Sequence, residues 1–408
     1  MRAKRPLAAV IAAETVSSLG SLMTVVALPW FVLETTGSPE RMAGVLTAEA
    51  AGVVVVGSAS PLLVSRLGGR RTLLLCDAVW APATALIPAL HASGGLTFGV
   101  LVVLAFVTGM PWAAHYGSQT AVVADVLGEE TVPIAQANAL LQTLTRATYF
   151  AGPVLGGLLL GAFSAATVLA VDAASFACSF LLVAAFVPAP PARVDAESIE
   201  RIRASRGWRY LTANRWLRRV TTAQALSQGA FMAMSAAIPV LAFSHYERNA
   251  HLAGLLLGLW GAGAMVGSIV AFRLVRSLDP SRLAAAAWAA QALPLWAMVI
   301  SHAPPVAGAA LLVSGVANGV RVPPIASLEV ARVPVPIRAE TMTAATSVRL
   351  TGGLAALLVV GPALAALSVG VVWAGIAATQ TVAAGLFAST ALRQPIESAG
   401  GPTVTFSG

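Results

Sequence analysis

Apolar stretches long enough to cross a lipid bilayer alternate with short polar joints about twelve times in this sequence, and the second half of the chain repeats the first. Seven residues of the first stretch recur 210 positions later. They are Arg5, Leu7, Val10, Ala13, Ser17, Ala27 and Pro29, and their copies are Arg215, Leu217, Val220, Ala223, Ser227, Ala237 and Pro239. A duplicated bundle of membrane helices is the architecture of transporters that open alternately to the two sides of a membrane.

The composition identifies lipid as the solvent of this chain. Hydrophobic residues make up 57% of it and charged residues only 10%, whereas a soluble domain carries about 25% charged residues. Backbone groups in lipid must bond internally, which makes long apolar spans helical. We therefore predict an all-α membrane protein with twelve transmembrane helices in two pseudo-symmetric six-helix halves. The predicted spans are residues 7–33, 42–64, 72–90, 96–116, 138–162, 166–187, 219–243, 252–275, 283–302, 305–328, 341–367 and 369–391.

The two bundles are predicted to occupy residues 1–187 and 219–392, with a cytoplasmic arginine-rich linker at 188–218 and a disordered tail at 393–408. Eight arginines lie between Arg193 and Arg219. Trp208, Tyr210 and Trp216 among them predict a helix on anionic lipid headgroups. A solvated linker that only sets the topology is the alternative.

The basic residues predict the orientation of the chain. Of 25 lysines and arginines, 20 fall in one set of joints and only Arg41 and Arg248 in the opposite set. Because basic loops stay in the cytoplasm, both termini are expected there. The net charge of +8 therefore reflects membrane topology, and we expect the partner to be the lipid bilayer and not nucleic acid. Arginine far outnumbers lysine and alanine is abundant, which favours a bacterial cytoplasmic membrane.

Neither an enzyme nor a cofactor site is expected. The two cysteines, Cys76 and Cys178, lie inside apolar spans, and no spacing typical of a metal site, nucleophile–base pair or phosphate loop occurs. The first apolar run continues to Leu33 and contains Glu14, so we interpret it as a retained helix and not as a signal peptide. We expect a monomer with no metal, driven by a proton gradient.

A loop between the second and third spans carries the first family resemblance. Arg66, Gly68, Arg70 and Arg71 resemble the signature loop of the major facilitator superfamily, although Ser65 replaces its usual acid. Glycine permits the tight reversal, and the arginines can bond the carbonyl groups at helix C-termini. The resemblance implies a gating role for these four residues.

The fifth span carries the second resemblance. Gly152, Pro153, Gly156 and Gly157 resemble the Gly-Pro-x-x-Gly-Gly core of drug exporters in that superfamily, which implies gating and proton-driven export. A generic close-packing kink is the alternative. Short segments such as 27–30 (Ala-Leu-Pro-Trp) and 137–140 (Ala-Asn-Ala-Leu) resemble sequences of the macrolide-efflux and enterobactin-exporter-like branch of the superfamily.

Ionisable groups inside the spans are costly and are therefore candidates for function. We predict Glu14, Glu49 and Asp172 as proton-coupling candidates. A static ion pair of Glu14 with Arg321 or Arg146 is the alternative, and Asp172 is equally compatible with a helix anchor. Arg146 and Arg349, matched in the repeat, are expected in contacts between the halves or in helix packing. Asp77 is expected to be structural.

In the resembled fold the first, fourth, seventh and tenth helices line the central cavity. Glu14 aligns with Gln224 across the repeat, which would give the cavity an acid on one side and an uncharged counterpart on the other. His115 is also expected to make a structural hydrogen bond near the cytoplasmic end of its helix. The cavity residues that the resemblance implies are Trp112, His115, Gln224, Gln228, Met232, Asn318 and Arg321.

Together these features predict a secondary active transporter that exports small amphipathic or hydrophobic compounds, such as drugs or secondary metabolites, in exchange for protons. Aromatic and methionine side chains can repack around varied apolar ligands. One alternative is uptake or exchange of an anionic metabolite or lipid-like substrate, with Arg321 binding the anion. The other is a non-transporting membrane receptor or scaffold of the same fold.

Overall fold

The computed structural model describes residues 4–57, 59–127, 131–188 and 204–391, and those residues are helical apart from short joints. The helices of the first half are α1 (Lys4–Thr36), α2 (Pro39–Gly57), α3 (Ser60–Ala92), α4 (Phe98–Gly109), α5 (Trp112–Leu127), α6 (Thr131–Ala162) and α7 (Ala165–Phe186). After a linker helix, α8 (Ala204–Ala213), those of the second half are α9 (Arg215–His245), α10 (Ala250–Leu274), α11 (Pro280–Ala292), α12 (Ala297–Ile300), α13 (Pro304–Arg332), α14 (Arg338–Ala366) and α15 (Val369–Ala391).

Ten of the described helical segments are long and apolar enough to cross a membrane. The other two predicted spans correspond to α2 and α6. Helix α2 packs between α4 and α14, and α6 packs between α1 and α10. The predicted fold class of an all-α integral membrane protein in two related halves is therefore confirmed.

The packing of the helices repeats as the sequence does. In the first half α1 packs against α6 and α7, and in the second half α9 packs against α14 and α15. The contacts of α3 with α5 and α7 match those of α11 with α13 and α15. Even the internal prolines match, since Pro29 lies inside α1 and Pro239 inside α9. The repeat therefore determines which helices meet, not merely how many there are.

The two halves meet through small residues at the end of the bundle opposite the chain termini, which we term the far end. A Cβ atom on Gly254 of α10 would lie 2.6 Å from the Cα of Gly157 on α6. On the other side of the bundle, a Cβ on Gly361 of α14 would lie 2.5 Å from the Cβ of Ala43 on α2. Glycine thus allows the two helix pairs between the halves to touch at the backbone.

Hydrophobic packing follows the same division. The largest apolar cluster contains residues of both halves at the far end, including Trp30 of α1, whose ring lies 5.6 Å from that of Phe243. The clusters near the chain termini, such as that around Val10 and Leu73 or that around Trp288, each belong to one half. In the part of the chain that the structure describes, the two halves are therefore held together mainly at the far end.

The linker helix α8 packs on the second half. Leu211 is buried, Tyr210 Oη donates to the carbonyl oxygen of Arg332 at 3.2 Å, and Gly207 lies against the backbone of Glu340. One face of this helix therefore packs on the protein while Trp208 is exposed, and its contact with lipid headgroups stays a prediction. Trp216 belongs to α9 and is buried there. The rest of the predicted linker, 189–203, and the tail, 392–408, lie outside the described residues.

Candidate transport site

Glu14 is the centre of a buried polar cluster in the first half. It lies on α1 with 1% of its surface exposed. Its Oε2 accepts a hydrogen bond from Gln119 Nε2 at 2.6 Å and lies 3.1 Å from His115 Nε2. His115 and Gln119 are four residues apart on α5, so they share one helix face. The alternative of an ion pair between Glu14 and Arg321 is wrong, because Arg321 has other partners in the second half.

The imidazole of His115 packs against aromatic side chains. Its ring centroid lies 4.8 Å from that of Trp80 on α3, and Trp80 stacks on Phe176 of α7 at 4.9 Å. The indole of Trp80 is fixed by a hydrogen bond to the carbonyl oxygen of Thr108. His115 is the fourth residue of α5 and lies twelve residues before the end of the fourth transmembrane segment at Leu127. It is therefore close to the start of α5, and not to the cytoplasmic segment end at which the sequence placed it.

Asp77 adds a second carboxylate to this half. It is fully buried on α3, and its Oδ2 accepts from Ser179 Oγ of α7 at 2.7 Å. Its Oδ1, like Nδ1 of His115, has no hydrogen-bond partner among the described residues. A buried polar atom without a partner costs about 1–3 kcal/mol, and such atoms often mark functional sites. The structural role expected for Asp77 explains the hydrogen bond to Oδ2 but not the unpartnered Oδ1.

The second half carries a different cluster at Arg321 of α13. Only 7% of this residue is exposed. Its Nε donates to Gln291 Oε1 and its Nη2 to Asn318 Oδ1, both at 2.8 Å, and its guanidinium lies over the ring of Trp288 at 4.3 Å. No described carboxylate lies within 4.0 Å of it.

His115 and Arg321 occupy matching positions in the two halves. Trp80 stacks on Phe176, and Trp288 in the same way contacts the ring of Phe387 at 5.1 Å. His115 follows Gly109 by six residues, and Arg321 follows Gly315 by six. Gly109 presses against the backbone of α2 at Glu49, and Gly315 against that of α10 at Trp260. The repeat thus places a nitrogen-containing side chain against a Trp–Phe pair twice: a titratable imidazole in the first half and a permanently charged guanidinium in the second.

Gln224, the counterpart of Glu14, belongs to a closed ion-pair cluster. Arg349 Nη1 of α14 donates to Gln224 Oε1 at 2.6 Å and lies 3.5 Å from Glu329 Oε2 of α13. Sequence reasoning missed Glu329 because the tenth span was predicted to end at 328, whereas α13 continues to Arg332. It missed Gln119 for the same reason, since the fourth span was predicted to end at 116. Arg349 therefore bonds within its own half, and the side chain of Arg146 lies outside the described residues.

The remaining proton-coupling candidates are separate from the Glu14 cluster. Asp172 accepts hydrogen bonds from Thr24 at 2.6 Å and Ser175 at 3.3 Å, which ties α7 to α1 as expected for a helix anchor. Glu49 lies on α2 where its backbone meets Gly109.

Three further cavity candidates lie on α5 and α9. Trp112 stacks on Tyr116 at 5.7 Å and is 38% exposed. Gln228 and Met232 share one face of α9 and lie opposite Gly353 of α14, where a Cβ atom would approach their side chains within 3.4 Å. They are therefore close to Arg349, which lies one helical turn before Gly353.

The signature-like loop forms the tight reversal that its sequence predicts. Gly68 has φ +77°, a conformation that glycine adopts without strain. Arg70 donates to the carbonyl oxygens of Val187 and Ala184 at the end of α7, at 2.6 and 3.1 Å. The acid that the loop itself lacks is supplied by Asp125 of α5, whose Oδ2 accepts from the amide of Gly69 at 3.2 Å. Arg66 and Arg71 are exposed.

The exporter-like core of α6 contacts two helices at once. A Cβ atom on Gly156 would lie 2.9 Å from the carbonyl oxygen of Met23 on α1, and one on Gly152 would overlap Leu22 of the same helix. On the other face, Gly157 and Pro153 meet Gly254 of α10. Gly157 and Pro153 thus lie at the far-end contact between the halves, whereas Gly152 and Gly156 pack α6 against α1 within the first half.

Comparison with known proteins identifies the family. Residues 10–357 match the family model of the Major Facilitator Superfamily, and this chain belongs to that superfamily. It is a transporter of the membrane and not an enzyme, as the sequence predicted.

Relatives and solved structures agree with this class. The multidrug efflux pump Tap of Mycolicibacterium fortuitum is 24% identical over 65% of this chain and 66% of its own length, slightly less than two thirds. The pump of the same name from Mycobacterium tuberculosis is 22% identical over 74% of this chain and 72% of its own. Among solved structures, the nucleoside transporter NupG matches with a TM-score of 0.77 at 12% identity, over 96% of this chain and all of that one. A bacterial homologue of the iron transporter ferroportin, in an inward-facing state, matches at 0.72 and 13% over 95% of this chain and 99% of that one.

Proposed function

We propose that this transporter is a proton-coupled exporter of small amphipathic or hydrophobic compounds in a bacterial cytoplasmic membrane, with both termini in the cytoplasm. The observation that carries the proposal is the buried contact of Glu14 with His115 and Gln119, formed between the first and fourth transmembrane segments. The efflux-pump names of the relatives and the arginine-rich joints support the direction and the orientation.

The Glu14–His115 pair can store one proton inside the membrane. With the proton, the pair is neutral overall, whether the proton resides on the carboxylate or on the imidazole. Without the proton, the pair carries one negative charge, which is costly in a low-dielectric site. Gln119 keeps the carboxylate oriented in both states, because an amide can donate to either form. Losing the proton therefore changes the electrostatic balance between the first half and the permanently charged second half.

The cytoplasmic orientation makes this structure an inward-facing one. The chain termini and the reversal at Gly68 lie at one end of the bundle, and the halves are held together mainly at the other, far end. Export requires the contact between Gly157 and Gly254 to open while the terminal end closes. Flux is coupled when proton and substrate each favour one of these two states.

Flux measured on purified protein in proteoliposomes tests the proposal. The vesicles contain trapped pyranine, a pH-sensitive dye, and receive one of three fluorescent probes: ethidium, Nile red or 1-pyrenebutanoate. We expect at least one probe to move against its gradient when a proton gradient is imposed, with a matching pH change inside. Glu14→Gln should abolish the pH change and the uphill movement, while downhill movement of the probe persists.

Glu34→Gln is the matched control, because Glu34 is an exposed acid on the same helix. It should behave as the wild type. Unchanged coupling in Glu14→Gln would remove Glu14 from the mechanism. A wild-type protein that binds the probes but moves none of them would instead favour a receptor or scaffold, and probe-driven anion exchange without proton movement would favour the exchange alternative.

A further inference from the structure

We infer that Arg321, together with Asn318 and Gln291, forms an anion subsite that binds the carboxylate of the transported compound. The inference rests on the proposed export function and specifies its substrate class: amphipathic molecules with one negatively charged group. It starts from a difference at matched positions: His115 in the first half contacts a carboxylate, whereas Arg321 in the second has only neutral hydrogen-bond partners among the described residues.

The charge of Arg321 is uncompensated in the described structure. An arginine in the bilayer interior costs several kcal/mol, and the cation–π contact with Trp288 offsets only part of that cost. Its two hydrogen-bonded partners are amide oxygens, which are neutral. A guanidinium has five N–H donors, so a cation held at two of them by neutral groups can still accept an anion.

The first half indicates what the missing partner is. At the matching position, His115 faces the carboxylate of Glu14 at 3.1 Å. In the second half the residue that corresponds to Glu14 is Gln224, and its side chain bonds Arg349 instead. The second half therefore has a cation on its tryptophan but no described carboxylate of the protein beside it. A carboxylate of the substrate would restore the pair.

The surroundings of Arg321 suit an amphipathic anion. Trp288 covers one face of the guanidinium, and Gln291 and Asn318 fix it at two edges, which leaves a planar fork preorganised for a carboxylate. Gln291 also lines a small cavity with Phe231, Trp260 and other residues of the second half. That cavity has a volume of about 10 Å³ in this conformation. This cavity is too small for the apolar part of a substrate, which would therefore enter only as Phe231 and Met234 repack.

Equilibrium binding of two matched probes tests the inference in detergent, without any gradient. The probes are 1-pyrenebutanoate and 1-pyrenebutanamide, which differ in charge but hardly in shape. We expect the wild type to bind the acid at least about tenfold more tightly than the amide. Arg321→Gln should remove this preference, and Arg321→Lys should retain part of it, because lysine keeps the charge but not the planar fork.

Asn318→Asp keeps Arg321 and guards against misfolding of the arginine variants. It replaces the amide that accepts from Nη2 at 2.8 Å with a carboxylate of nearly the same shape. Arg321 then has a counterion of its own, so the preference for the acid should fall at least about tenfold while the protein becomes more stable to heat. Arg276→Gln is the matched control, since Arg276 lies over the ring of Phe272 at 4.6 Å but is exposed. It should leave the preference unchanged.

Equal affinities of the wild type for acid and amide would overturn the inference, and so would a preference that survives Asn318→Asp. Stabilisation of the wild type by inorganic phosphate that depends on Arg321, without any preference between the pyrene probes, would also overturn it by assigning the site to a small inorganic anion. Because none of these measurements uses proton flux, a negative result leaves the export proposal standing. Failure of coupling in the vesicles would likewise leave a positive binding result intact.

Discussion

The two halves of this transporter share a packing frame and differ in charge. In each half a buried nitrogen-containing side chain packs against a tryptophan that contacts a phenylalanine. In the first half it is His115, whose ring meets that of Trp80 edge to face and which contacts the acid Glu14. In the second half it is Arg321, whose described partners are neutral. Duplication has conserved the contacts that determine helix packing and allowed the chemistry at matched positions to diverge.

A second matched position shows the same divergence. Asp77 lies three residues before Trp80, and the residue three before Trp288 is Ala285. Both are buried, but only the aspartate needs a partner, which Ser179 provides. Acids therefore lie on α1 and α3 of the first half, whereas the matched positions on α9 and α11 of the second carry Gln224 and Ala285. The transporter is close to symmetric in shape and asymmetric in the charges that could couple proton to substrate.

The largest effect is expected where the two halves touch. Gly254→Leu places a side chain against Pro153 and Gly157 of α6, where a Cβ atom would already lie 2.6 Å from the Cα of Gly157. The halves can then no longer close at the far end, so we predict loss of transport in the vesicle assay, by at least about tenfold. Labelling of a cysteine introduced at the far end should increase.

Gly375→Leu is the control for this substitution. Gly375 lies on α15 with open space at its Cβ position, so the same change in volume should leave transport intact. Transport by Gly254→Leu at the wild-type rate would show that the far-end contact does not take part in the cycle.

The ion pair that distinguishes the second half should contribute measurably to stability. Glu329→Gln leaves Arg349 without its carboxylate partner while Glu329 itself is nearly buried. Because Arg349 is partly exposed, we predict a loss of about 1–3 kcal/mol, below the roughly 3–5 kcal/mol for breaking a fully buried pair, measured by unfolding in detergent. The double variant with Arg349→Gln should recover most of this loss. Additive losses in the double variant would show that the pair is not coupled.

The two tryptophans offer a direct comparison of the halves. Trp80 Nε1 donates to Thr108 O at 2.6 Å, whereas Trp288 Nε1 has no described partner. Trp80→Phe removes a hydrogen bond and Trp288→Phe removes an unsatisfied donor. We therefore predict that Trp80→Phe destabilises the protein by about 1 kcal/mol more than Trp288→Phe does. Equal losses of stability in the two variants, measured by thermal unfolding, would mean that the aromatic contacts alone determine how much each tryptophan stabilises the protein.

The smallest predicted effect concerns pH at the far end. Burial and the nearby His245 lower the pKa of His302, whose ring lies 5.6 Å from that of His245. The unfolded chain then binds a proton more readily than the folded one. Stability from this site should be fully present above pH 6.5, the ordinary value, and decrease as pH falls below it.

His302→Asn should flatten that dependence slightly, measured as the difference in melting temperature between pH 7.5 and 5.5 on the scale of about one degree. His251→Asn, a change at another far-end histidine, serves as the control. A pH dependence that is identical in wild type and His302→Asn would assign it to other groups.

Much of the fold could be predicted from the sequence, because apolar length and the 210-residue repeat are direct records of membrane spans and of helix pairing. The ends of helices were harder to predict. Hydropathy falls wherever a helix carries polar residues, so the fourth and tenth spans were predicted to end before Gln119 and Glu329. Those polar residues belong to the two buried clusters. Hydropathy alone cannot distinguish them from polar residues in a loop.

The partners of the buried charges could not be predicted from the sequence. Glu14 and His115 are 101 residues apart in the chain and are brought together only by the crossing of α1 and α5. The repeat nevertheless contained a usable signal. Aligning the halves through Gly109 and Gly315 would have matched His115 with Arg321, and so indicated that both face the same kind of environment.

The central claim is that proton coupling resides in the first half and not in the second. The most direct test is the number of protons moved per probe molecule in the vesicle assay for Glu14→Gln and Glu329→Gln, one buried acid from each half. This ratio does not depend on how much of each variant is folded. The account predicts a ratio near zero for Glu14→Gln and the wild-type ratio for Glu329→Gln. A wild-type ratio in Glu14→Gln together with a lost ratio in Glu329→Gln would contradict it.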